Sequence, residues 1–263
     1  MPKTPYAERH PYWFSLLVAL MVVIVYLALG AFAAVAHLSP ALSGQVVHLG
    51  SSIILTGLAV GILSRKGWWL RIGFRRPGRA ADLLWFLMPL VLVLVNLVQG
   101  FSAASMANLV YFFILALLTG FVEEAIYRGI ILQALAPRGV WRAALVTAAI
   151  FGVSHSLNLL SGSDPGYVSL RIGYAFAIGF AFAALALRTR LIWPLMIVHF
   201  LTDLFGFLAS NSTGGSEATP FLLVITAIYV VLFTTYGIYL LVSWKRVAVG
   251  RDTRPINNPS ETV

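Results

Sequence analysis

The stretch LLVALMVVIVYLALGAF, Leu16 to Phe32, decides the fold. It is apolar on every face, so it has neither the polar side of a helix resting on a soluble core nor the strict alternation of a membrane barrel strand. A chain inside hydrocarbon must satisfy its own backbone N–H and C=O groups, and a helix does this within one segment. About 20 such residues cross a hydrocarbon layer roughly 30 Å thick. Working outward, spans of this kind are predicted at Tyr12–His37, Gln45–Leu63, Leu83–Gln99, Ala104–Ala136, Trp141–Leu160, Val168–Leu187, Leu191–Ala209 and Thr219–Trp244. We therefore expect an all-α, polytopic integral membrane helical bundle of about eight transmembrane helices. Three parts are expected along it. Residues 1–103 hold three spans and a basic interfacial segment, 104–209 form the core, and 210–263 hold the last span and a tail that reads as disordered from Arg251 on.

Composition agrees with this reading. The chain is 60% apolar and only 10% charged, with a mean hydropathy of +0.90, whereas soluble chains run near 45–50% apolar and 25% charged. It has no cysteine, which excludes disulfides, thiolate metal sites and cysteine nucleophiles. The net charge of +9 would suggest nucleic acid in a soluble protein. Here the basic residues sit between apolar blocks, so the expected partner is the lipid bilayer and no nucleic acid. Lys and Arg crowd the two ends and every second connector, with Arg171 the nearest exception, so both termini are expected on the cytoplasmic side, and the membrane is expected to be the plasma membrane. Ala34-Val35-Ala36 imitates a signal cleavage site, but the apolar run before it exceeds the 7–15 residues of a signal core, and we read it as a retained span. His10, His37 and His48 read as interface residues, and Gly57-Leu-Ala-Val-Gly61 as a close-packing stretch within the protein.

Only nine acidic residues are present, yet Glu123, Glu124 and Asp203 fall inside predicted spans with Arg128, His155 and His199. Ionisable groups cost about 2.5–3.5 kcal/mol each inside a membrane and usually face a cavity or one another. Glu124 and Arg128 are one helical turn apart and can pair; His199 and Asp203 repeat the spacing; Glu123 should point about 100° away from Glu124. At 1.5 Å per residue, Glu123 and His155 each lie about 20 Å, and His199 about 14 Å, from the nearest basic connector. Three helices thus bring polar groups to a similar depth, compatible with one site.

The three pieces, Glu123-Glu124-Ala-Ile-Tyr-Arg128, Phe151-Gly-Val-Ser-His155 and His199-Phe-Leu-Thr-Asp203, resemble the ordered EExxxR, FxxxH and HxxxN/D motifs of the CAAX protease and bacteriocin-processing (Abi) family. The resemblance covers about Ala104 to Phe205. It implies an intramembrane endopeptidase acting on membrane protein or peptide substrates near the cytoplasmic leaflet. By the same resemblance Glu123 and His155 activate water, and His199 and Asp203 stabilise the oxyanion. Glu124 and Arg128 support them as a buried pair. Asp203 stands where many family members have asparagine, and an ionised carboxylate repels an oxyanion, so its role does not transfer unchanged. No cofactor is favoured; zinc held by Glu123, His155 and His199 is the alternative, although no HExxH is present. Two other functions fit the same residues: a proton-coupled transporter with these groups as its relay, and a non-catalytic immunity or scaffold protein.

Overall fold

The computed structural model describes residues 6–102, 104–161, 163–210 and 220–252. Every regular element among them is helical. The principal helices are α1 (Pro11–Val35), α2 (Pro40–Lys66), α3 (Leu90–Val98), α4 (Met106–Glu123), α5 (Val140–Ser154), α6 (Pro165–Thr189), α7 (Trp193–Ser210) and α8 (Pro220–Asp252). Among the described residues, seven helical stretches are long and apolar enough to span a membrane. An eighth results if the 3-10 turn Ala80–Phe86 and α3, which meet at 48°, count as one span. The expected third span, Leu83–Gln99, is thus a bent one. Pro89 precedes α3, and proline has no N–H to continue a helix while its ring crowds the turn before it. The helix of α8 runs on past Trp244 through Arg251 to Asp252; the rest of the tail lies outside the described residues.

Local chemistry sets the helix starts. Ser39 Oγ accepts from Leu42 N (3.4 Å), Ser105 Oγ from Asn108 N (3.2 Å) and Asp164 Oδ1 from Tyr167 N (2.7 Å), each satisfying one of the first orphan N–H groups. Pro40 and Pro165 occupy first-turn positions where no N–H is needed.

The core is built on α6, the most buried of the spans. Its buried Ala175, Ala177, Gly179, Ala181, Ala183 and Ala184 let α5 and α8 approach closely on either side, as small residues do between membrane helices. α4 packs on α7 and on α2, and α1 packs on α2. The close-packing expectation for Gly57 and Gly61 does not hold: a side-chain carbon at either position meets no atom within 4 Å.

Candidate active site

α4 ends at Glu123, and the backbone continues as a wider π-helical segment, Glu124–Ile131, in which Leu132 N–H bonds Tyr127 O and every residue is buried. Such segments are rare and recur at functional sites. α7 comes up against α4 here because Gly120 has no side chain: a Cβ at this position would lie 2.8 Å from Phe200 N. His199, the neighbour of Phe200, then reaches both glutamates. Its Nδ1 lies 2.9 Å from Glu124 Oε1 and its Nε2 3.6 Å from Glu123 Oε2. The same Nε2 is 3.6 Å from Asp203 Oδ2.

Glu124 and Arg128 form a 3.0 Å ion pair with both side chains wholly buried. The Arg128 guanidinium lies 4.1 Å over the Phe151 ring and 5.4 Å from that of Phe182. Aromatic faces stabilise a desolvated cation, which matters because Arg128 Nε and Nη2 have no hydrogen-bond partner among the described residues. Gly179 on α6 leaves the room: a Cβ there would sit 2.9 Å from Phe151 Cδ1 and 3.5 Å from Arg128 Nη2. Glu124 Oε1 therefore receives two groups, Arg128 Nη1 and His199 Nδ1, and holds the histidine's orientation.

His155 caps α5. Its Nδ1 lies 2.9 Å from Phe151 O. A carbonyl oxygen can only accept, so Nδ1 carries the proton and Nε2 keeps a lone pair. Phe151, stacked edge-on to His155 at 4.8 Å and beneath Arg128, links the second motif to the first.

Glu123, His155, His199 and Asp203 all line one cavity of about 100 Å³. One water needs roughly 10–15 Å³ of such space, so several fit. A second cavity, of about 90 Å³, touches Glu124, Arg128, His155, His199 and Asp203. The structure thus brings all the motif residues to one place, Glu124 and Arg128 behind it and the others at its wall. The residues outside the motifs that line the first cavity include the ionisable Tyr26, His48 and Arg171. His48 is not an interface residue but a wall of the site. Arg171 donates from Nη1 to Tyr167 Oη (3.1 Å). Its signal was readable in the sequence as a lone intramembrane cation on the arginine-poor side; Tyr26 and His48 had no comparable signal.

Among the described residues, no group of three or more His, Asp or Glu is placed to hold a metal ion. Nδ1 of both histidines is turned to a protein oxygen, which leaves Nε2 of each as the nitrogen that faces a water, a substrate or an ion.

No curated protein matches the chain. Residues 104–205 match the family model of the Rce1-like type II CAAX prenyl endopeptidases. The matched segment contains the π-helical segment, the end of α5 and the turn of α7 that bears His199 and Asp203. Residues 104–205 of this membrane chain, which carry Glu123, Glu124, Arg128, His155, His199 and Asp203, match the Rce1-like type II CAAX prenyl endopeptidase family, in agreement with the resemblance of the three ordered motifs.

Proposed function

We propose that the protein is an intramembrane endopeptidase that hydrolyses peptide bonds of membrane-associated protein or peptide substrates. The observation that carries this is the cavity itself: a carboxylate, a histidine with a free Nε2 and a second histidine held by a buried carboxylate share one space that takes a few waters. Peptide hydrolysis needs a base for water, donors for the charge that grows on the carbonyl oxygen, and a proton for the leaving amine. In this reading Glu123 takes the proton, with His155 Nε2 accepting a hydrogen bond from the same water, as the water oxygen bonds to the carbonyl carbon. His199, as an imidazolium, donates from Nε2 to the oxyanion while Asp203 and Glu124 hold its charge. When the C–N bond breaks, the proton taken from water passes to the departing nitrogen. All these groups belong to the chain, and no step uses a metal.

A comparison of membrane peptidomes tests the proposal. Cells with wild-type protein should contain cleavage products that vanish with Glu123→Gln, which keeps the shape of the side chain and removes the base. Identical product sets in cells that hold equal amounts of both proteins overturn it.

A further inference from the structure

The contacts between connectors show which helix ends lie together. Arg138 Nη2 donates to Arg9 O (3.4 Å), Arg71 pairs with Glu8 (3.3 Å), and Trp193 Nε1 donates to Arg75 O (3.2 Å). One end of the bundle therefore gathers the start of α1 and the basic connectors α2–α3, α4–α5 and α6–α7. At the other end Ser102 N donates to Leu208 O (2.9 Å), which joins the α3–α4 connector to the end of α7. Among the described residues of this second half, Arg171 is the sole Lys or Arg.

Arg171, Asp203 and His48 form the part of the site cavity nearest this arginine-poor end, while Glu123 and His199 lie deeper. At 1.5 Å per residue, Arg171 lies about 9 Å from the start of α6, Asp203 about 10 Å from the end of α7 and His48 about 12 Å from the start of α2. Measured to the basic end along their own helices, Glu123, His155 and Asp203 are each about 20 Å away and His199 about 14 Å, and Glu123 is about 26 Å from the start of α4. Toward that end Ile130, Ile131, Leu132 and Leu135, all at most 1% exposed, are packed in the core, and no basic connector residue lines the site cavity. On the other side a cavity of about 600 Å³ opens between α1 and α2, beside Ala34, His37, Pro40 and Val47. It shares Tyr26 and Leu157 with the site cavity. A further groove between α3 and α8, about 720 Å³, also lies in this half, along Gln99, Ser210 and Thr226.

We infer that the substrate is a polypeptide segment presented on the arginine-poor face of the membrane, and that it reaches Glu123 and His155 through the opening between α1 and α2. The Lys and Arg asymmetry makes that face the non-cytoplasmic one, so cleavage takes place on the side opposite to the cytoplasmic leaflet expected from the sequence. The word substrate rests on the hydrolase reading; the route does not. The chain forms its own background-free reporter, because it has no cysteine.

Single cysteines are placed at Val47 in the opening, at Ser52 in the site cavity and at Arg190 on the basic end. Each variant is treated with a charged, membrane-impermeant thiol reagent in sealed right-side-out vesicles and in inside-out vesicles. Val47→Cys and Ser52→Cys should take up label in right-side-out vesicles, and Arg190→Cys only in inside-out ones. Ser52→Cys labelled only in inside-out vesicles overturns the inference, as does labelling from neither side while Val47→Cys is labelled. Arg190→Cys labelled in right-side-out vesicles overturns the assigned face. Labelling reads access without turnover, so a failed peptidome comparison with the expected labelling pattern discards the protease reading and leaves the route standing.

Discussion

His199 faces three carboxylates, and this decides what single substitutions should do. Glu124 is fully buried and shared between His199 and Arg128, so Arg128→Ala leaves a buried charge with half its support. Breaking such a pair costs about 3–5 kcal/mol, and the variant should melt well below wild type in detergent. Glu123 is 24% exposed at the cavity; Glu123→Gln should melt close to wild type and lose turnover. Equal melting of Arg128→Ala and wild type would remove the pair from its supporting role. Asp203 and Glu123 both lie 3.6 Å from His199 Nε2, so Asp203→Asn should lower product yield by weakening the charged ring, and Asp203→Ala should lower it further. Undiminished yield from Asp203→Ala would make Asp203 a bystander. The motif residues were legible because charge inside an apolar run has few innocent explanations. His48 and Tyr26 were not, since nothing in their spacing distinguishes a cavity wall from an interface residue until α1 and α2 are packed.

At the scale of elements, the site depends on two helices meeting at a glycine. Gly120→Ala places a methyl group 2.8 Å from the backbone of Phe200, and a backbone atom cannot swing aside as a side-chain tip can. α4 and α7 must separate, at a cost of about 1–3 kcal/mol for an overpacked contact. His199 would move with α7 away from Glu124, so turnover should fall more than stability. Comparing detergent melting with product yield checks this; an active variant of unchanged melting point would show that the contact is not required. The existence of the spans was legible from apolar length alone. The bend at Pro89 carries a visible signal in proline, whereas nothing in the spacing of Glu124–Ile131 distinguishes the π-helical segment from an ordinary helical turn. Gly57 and Gly61 show the opposite failure: the spacing suggests close packing, but tertiary placement turned that face outward.

For the molecule as a whole, the gathered basic end predicts that both termini face the cytoplasm. Reporter fusions at either terminus should be active only as cytoplasmic reporters, and a terminus reporting from the opposite side would reverse the orientation. The match to a known family stops at residue 104, yet Val22, Tyr26, His48 and Ser52, from the first two spans, form one wall of the site cavity. The wall of the cavity is therefore written in two stretches of sequence, one inside the matched segment and one before it. On the proposed hydrolase reading, two proteins alike over 104–205 to the letter could still differ in the peptides they admit, because part of that wall comes from the first sixty residues.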